Sequence, residues 1–276
     1  MIGPELAIEG RPRLRLATAA AELWRYRSTL LAFVERDVRV KYKQAALGIT
    51  WAVLQPLAFM GIFTVTLGRL GGVSGGGAPY PVLALAALVP WTFMQTGVAF
   101  ASNSLLSDAS LLRKVYFPRE LPVLGSVLGS GVDFGVGLML FAVIGLPLGA
   151  HLSFTWLLAP LLGIVLMVFA AGMSCVLAAL NVYYRDFRYA VPIMLQLWMF
   201  ASPVAYPISV VPSSWRPLYV ALNPPAGVLD GFRRALAVGT LPDGKLLAIS
   251  AASSIFLGWV GYRVFKRLEP SFADVV

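Results

Sequence analysis

The sequence predicts an all-α integral membrane protein. It has six transmembrane helices, an N-terminal amphipathic interface helix, and two short re-entrant helices on the outer side between spans five and six. Three observations predict this. Of 276 residues, 58% are hydrophobic and only 13% charged, about half the charged share of an ordinary soluble domain, and mean hydropathy is +0.77. Six apolar stretches come near the ~20 residues that cross a bilayer core of ~30 Å. Ahead of them, AELWRYRSTLLAFVERDVRVKYKQ carries a helical period with two unlike faces.

That leading stretch belongs to an N-terminal cytoplasmic segment, 1–46, which precedes a six-span domain, 47–276. Leu23, Leu30, Leu31, Val34 and Val38 share one side of the helix, and Arg25, Arg36 and Arg39 lie largely on another. Glu35–Arg39 and Asp37–Lys41 are spaced as i,i+4 pairs with the acid first, the more favourable order. Such a helix lies in the headgroup layer with its apolar face down. Glu5 and Glu9, with no apolar core following in the first thirty residues, argue against a signal peptide.

The spans follow in order: Leu47–Leu67, Pro81–Phe100, the Gly-rich Leu121–Leu148, Phe154–Leu180, Tyr189–Ile208 and Leu246–Val264. The fifth contains Pro192, Pro203 and Pro207. An even number puts both termini on one side, and the basic residues choose the side. With cytoplasmic termini, 17 of the 22 Lys and Arg residues fall inside; Arg69, Arg216, Arg233, Arg234 and Lys245 fall outside. Between spans five and six, PSSWRPLYVALNP and PPAGVLDGFRRALAVG are apolar yet too short to cross. Prolines 212, 217, 224 and 225 break them into stubs.

No reaction motif is present. There is no GxxxxGK[ST], so the chain has no phosphate cradle of its own. GGVSGGGAP at 71–79 lacks the lysine and reads as a loop. One cysteine, Cys175, and one histidine, His151, supply neither a disulfide framework nor a metal cluster. Asp133 is the single carboxylate inside a span, in GSGVDFGVG. Gly125–Gly129 and Gly131–Gly135 have spacings that let helices approach closely. Three readings stay open for Asp133: a hydrogen-bond acceptor from a neighbouring helix, an ion-coupling group, or a substrate contact. Gln55 beside Pro56 on the first span, and Gln196, Trp198, Ser202 and Tyr206 on the fifth, mix amides with aromatic faces. Ordinary packing accounts for such residues, and so does a path for sugar rings.

Four blocks then stand in order: FVERDVRVKYKQAALGITWAVLQPL; LVPWTFMQTGVAFASNSLLSDASLLRKVYFPRELPVLGSVLGSGVDF; LNVYYRDFRYAVPIMLQLWMFASPVAYP; and SSWRPLYVALNPPAGVLDGFRRAL. In these the chain resembles the ABC-2 type permease subunits that export bacterial lipid-linked polysaccharides such as O-antigen, capsule and teichoic acid. The likeness runs from about Phe33 to Leu236, with a weaker match in FKRLEPSFADVV. It implies a homodimeric half-transporter in the inner membrane, with no enzymatic activity or cofactor of its own. Two copies of a separate P-loop subunit would bring ATP and magnesium.

The resemblance also implies roles for residues. A short elbow at Ser107–Phe117 would dock into the ATPase through Leu111, Leu112, Arg113, Lys114, Val115, Tyr116 and Phe117. Arg185, Asp186 and Arg188 of the next inner loop would assist. Gln55, Phe59, Phe63, Gln196, Trp198, Ser202 and Tyr206 would line the path. Arg36, Arg39, Lys41 and Lys43 would await a lipid pyrophosphate. Trp215, Tyr219, Asn223, Arg233 and Arg234 would form an outer gate, with Arg233 and Arg234 meeting lipid headgroups, the first expectation, or the carrier's phosphates. The rival readings are an ABC-2 exporter of drugs or lipids and an ion-coupled secondary transporter. Nucleic acid is not an expected partner.

Overall fold

A computed structural model describes residues 16–43, 50–72, 77–114 and 117–272, and for residues 16–20, 112 and 113 its backbone only. The described residues contain helices and connecting turns, with no strand. Two helices, α1 (Leu16–Arg25) and α2 (Arg27–Lys43), precede α3 (Thr50–Phe63), which runs on through a π-helical segment to Leu70. Next come α4 (Tyr80–Ser107), the six-residue α5 (Ala109–Lys114) and α6 (Glu120–Gly145). A 3₁₀ turn, Phe154–Leu158, leads into α7 (Ala159–Tyr183). Then follow α8 (Phe187–Ala201), the stubs α9 (Arg216–Leu222) and α10 (Pro224–Phe232), and α11 (Gly244–Leu268).

Five segments are long and apolar enough to cross a membrane: Thr50–Leu70, Tyr80–Ser107, Glu120–Gly145, Phe154–Tyr183 and Gly244–Ser271. They match five of the six stretches expected, with ends shifted by a few residues. The N-terminal bound at Leu47 lies outside the described residues. The remaining stretch, Tyr189–Ile208, is a helix only as far as Ala201. Its 15 residues extend about 22 Å at 1.5 Å each. Ser202 precedes Pro203 and takes extended angles (φ −103°, ψ 155°), because the proline ring disfavours a helical residue before it. From there the backbone continues without a helix to Pro207.

The ends of the bundle follow from contacts. Asn181 near the end of α7 donates to the Ser102 carbonyl near the end of α4 (2.9 Å), so both reach the end that carries α5, the elbow end. The Tyr80 hydroxyl at the start of α4 donates to the Ala205 carbonyl, so residue 205 has reached the far end. Lys266 meets Glu120 at the elbow end, so α11 runs back from the far end.

α4 is the central helix. Along its most apolar 18 residues 83% of the residues are buried, against 11% for α3 with its π-helical continuation. It packs on α6, α7, α3, α8 and α10. Asp243 caps α11, its carboxylate accepting from the Lys245 and Leu246 amides (3.0 and 3.1 Å). Prolines 224 and 225 start α10, where a missing N–H costs nothing. α7 and α11 cross backbone to backbone. A Cβ on Gly172 would meet the Gly258 carbonyl oxygen at 2.6 Å, and one on Gly261 would strike Gly172. Gly172→Ala is therefore expected to lower stability by about 1–3 kcal/mol through overpacking. The check is the thermal midpoint in detergent; an unchanged midpoint would mean that the crossing lies elsewhere.

α2 does not lie apart from the spans as a surface helix would. Phe33 sits at Gly125, Val34, Asp37 and Val38 at Gly129, and Lys41 at Asp133. Eight positions on α2 match eight on α6, so the two run side by side in the same direction. Gly125 and Gly129 make the expected close approach, but to α2 and not to another span. Gly131 and Gly135 seat no backbone: the first has Met167 Cε at 3.7 Å, the second nothing within 4 Å.

Candidate functional site

The elbow joins α4 to α6. Asp108 ends α4 at φ −101°, ψ 14°, and α5 follows directly. Leu111 and Lys114 are exposed. The side chains of Leu112 and Arg113, and all of Val115 and Tyr116, lie outside the described residues. Phe117 differs from the expectation of a docking contact. It is 7% exposed, its ring centroid 5.4 Å from that of Phe33, in a cluster with Leu121, Leu23, Tyr26 and Leu30. A phenyl ring placed there fastens the elbow to α2 and offers little surface to another protein.

Each end of the elbow is tied down. Upstream, Arg36 grips Asp108 with a fork: Nη1 to Oδ1 at 2.6 Å and Nη2 to Oδ2 at 2.8 Å. The same guanidinium bonds Asp37 (3.0 and 2.8 Å) and lies 4.8 Å over the Phe33 ring. Burial pulls its pKa down, but the hydrogen bonds it donates to Asp108 and Asp37, with the charges of those carboxylates, outweigh that and hold it above the ordinary value. Asp37 also accepts from Ser126 on α6. Downstream, Arg119 donates to the Glu269 carbonyl (2.7 Å). Glu120, 0% exposed, takes Lys266 Nζ at 2.7 Å and the Tyr262 hydroxyl at 3.1 Å. Lys266 also reaches Glu269 at 3.0 Å. Asp108, Phe33, Arg119, Glu120, Lys266 and Glu269 were not singled out from sequence. The available signal was Glu120 standing directly before an apolar run.

The four cations proposed for a pyrophosphate do not form one open patch. Arg36 is committed as above, Arg39 pairs with Glu35, and Lys41 pairs with Asp133. The Asp37–Lys41 pair suggested by spacing is replaced by these longer-range partners. Lys43 is exposed and has no carboxylate partner among the described residues. Asp133 thus accepts from a neighbouring helix. Its partner comes from α2. Arg185, Asp186 and Arg188 are exposed on the α7–α8 turn, and Arg188 lines a cavity of about 440 Å³ with Asn103 and Ser107.

Five of the path and gate residues, Trp198, Ser202, Tyr206, Tyr219 and Asn223, meet in one network at the far end of α8. Trp198 Nε1 donates to Asn223 Oδ1 (3.1 Å). Asn223 Nδ2 donates to Ser202 Oγ (3.1 Å) and the Ala201 carbonyl (3.3 Å). Tyr219 donates to the same carbonyl (2.8 Å) and stands 3.3 Å from the Tyr206 hydroxyl. Ser202 (0%) and Phe63 (3%) are buried and face no open path; Phe63 packs edge-on against Phe200. Gln55 and Phe59 line an open groove on α3 with Trp51 and Ile62, and Gln196 and Trp215 are exposed. Arg233 does not meet headgroups. It is 5% exposed and donates to the Val204 and Tyr206 carbonyls, which no helix bond satisfies. Arg234 pairs with Asp230 at 2.8 Å. Among the described residues no group of His, Cys, Asp or Glu is placed to hold a metal.

The arrangement is a helical bundle with a fastened elbow at one end and a proline-broken, hydrogen-bonded cap at the other. The family model for ABC-2 type transporters matches residues 28–236. The chain belongs to the ABC-2 type transporter family. This ABC-2 chain is 30% identical over 261 residues to an O-antigen export system permease protein RfbA of Myxococcus xanthus, covering 92% of the chain and 98% of that protein. It is 26% identical to an RfbA of Klebsiella pneumoniae (90% and 94% covered). It is 22% identical to the polysialic acid transport protein KpsM of Escherichia coli (85% and 92% covered). In this ABC-2 chain the matched span begins within α2 and ends just past α10, so the elbow and its contacts with α2, Arg36–Asp108 and Phe33–Phe117, lie inside it.

Proposed function

We propose that this chain is the permease subunit of an ATP-driven exporter that moves a lipid-linked, O-antigen-like polysaccharide across the bacterial inner membrane. The observation that carries the reading is the end-to-end likeness to O-antigen export permeases. The geometry supports it: a short exposed helix at the end of the central helix suits a groove in a partner. That partner is a P-loop ATPase in two copies, which brings ATP and magnesium. Two copies of this chain form the conduit, and the second copy covers the face that α3 and α8 leave open, where Trp51, Ile62, Ile193 and Leu197 are exposed. A two-fold axis there brings both copies of α3 and α8 around one path.

In this reading the membrane is crossed six times, the fifth by α8 completed by the extended segment 202–207. That segment is covered by protein, the condition for non-helical backbone in lipid. The termini are cytoplasmic, as the basic residues require. Residues 1–46 form the interface segment and 47–276 the six-span domain, α9 and α10 are the re-entrant stubs, and Tyr219 and Asn223 hold the outer gate shut. Lys43 and Arg188 are the cations best placed for a lipid phosphate.

The test is complementation. In cells lacking this gene, the wild-type chain is expected to restore surface polysaccharide, and Arg113→Glu with Lys114→Glu to lose both restoration and co-purification of the ATPase. Normal surface polysaccharide in cells lacking the gene would overturn the function. Undiminished co-purification by the variant would overturn the docking assignment.

A further inference from the structure

We infer that Arg36 is a positioning residue for transport coupling: through its fork to Asp108 it makes α2 move with the elbow, so that a push on α5 is delivered to α2 and α6 together. The inference rests on the proposed function. It starts from the size of α5. Six residues make under two turns, too short to carry force except through firm joints. One joint is the backbone of α4. The others are side chains: Arg36 on Asp108 just before α5 and Phe33 on Phe117 just after it reach α2, and Glu120 on Lys266 reaches α11.

α2 is in turn fixed along α6 by three further contacts, Phe33 at Gly125, Ser126 on Asp37, and Lys41 on Asp133. It therefore bridges the two helices that the elbow joins. The fork is the ion-paired link from α2 to α4 and stands at the elbow itself; further along α2 the Lys41 ammonium lies 5.1 Å over the Phe100 ring of α4. A bidentate guanidinium–carboxylate pair fixes both distance and direction, which a single ammonium would not. The groups facing Arg36 are the Asp108 and Asp37 carboxylates and the Phe33 ring. Loss of the guanidinium removes the hydrogen-bonded tie between α2 and the elbow end of α4 and leaves the elbow docked.

The experiment uses the full complex with its ATPase in proteoliposomes, loaded with the host's lipid-linked glycan. Arg36→Gln and Asp108→Asn are each expected to retain ATPase co-purification and ATP turnover. Glycan moved per ATP is expected to fall about tenfold, the loss of one strong hydrogen-bonded link. A double variant, Arg36→Cys with Asp108→Cys, is expected to recover that ratio when bridged by a short bis-methanethiosulfonate, which forms a disulfide at each cysteine and releases methanesulfinate; native Cys175 is buried. A purely structural role would lower co-purification and turnover as well, and bridging would not restore transport. Either that pattern or an unchanged ratio in both single variants would overturn the inference. Failure of the wild-type chain to assemble with the ATPase would overturn the proposed function instead.

Discussion

Glu120→Ala is expected to destabilise the protein by about 3–5 kcal/mol, because it leaves a buried ammonium without its main partner. Lys266 has only 12% of its side chain exposed, and Glu120 none. Glu269 remains within 3.0 Å of Lys266 but is itself partly solvated, and Tyr262 loses its acceptor. By the scaling for chains of this size, the thermal midpoint falls by about 6–20 °C. Scanning fluorimetry in detergent measures it. The double variant Glu120→Met with Lys266→Met is expected to recover most of the loss, since an apolar pair replaces a desolvated ionic one. A single variant as stable as the parent would show that the pair is solvated in the bilayer.

Arg233→Met is expected to loosen the segment after α8 without unfolding the bundle. The proline-broken stretch has no helix partners for its carbonyls, and Arg233 supplies donors to those of Val204 and Tyr206. Each charged hydrogen bond contributes about 1.5–3 kcal/mol, offset in part by relief of a buried charge. Amide exchange over 202–207 is expected to accelerate about 10–100-fold, while the core of α4 keeps its protection. Ser202→Cys, inert in the parent, becomes reactive to thiol reagents in the Arg233→Met background. Unaltered exchange would remove the strapping role.

Much of the fold was legible because lipid imposes a simple rule: long apolar runs become helices. The interruption of the fifth run could also be read, since Pro203 and Pro207 forbid a regular helix. Its length could not, because Val204, Ala205 and Ile208 are as apolar as any helical residue. The path and gate residues read as separate groups because Trp198 and Asn223 are 25 positions apart. Only the tertiary turn puts them in contact. Acceptance from a neighbouring helix was one of three readings open for Asp133, and nothing local marks Lys41 as the donor. Arg233 carried a sequence signal that was passed over. It stands four residues after Leu229 and three before Leu236, both buried, so helical spacing puts it on the packed face. For Arg36 and Lys41 the sequence hid the partner for the opposite reason: their charge suggested an anionic ligand, and the carboxylates Asp108 and Asp133 that they meet lie on distant helices.

The parallel seating of α2 on α6 bears on how the chain is made. Lys41 precedes Asp133 by 92 positions, and Arg36 precedes Asp108 by 72. An aspartate at the centre of an inserting helix costs about 2.5–3.5 kcal/mol. In the proposed orientation, a nascent chain emerging N-terminus first would already have parked its lysine at the inner surface when the aspartate-bearing segment leaves the translocon. The early amphipathic helix thus acts as an internal chaperone for the third insertion, and the order of synthesis is itself part of what makes that segment acceptable to the bilayer.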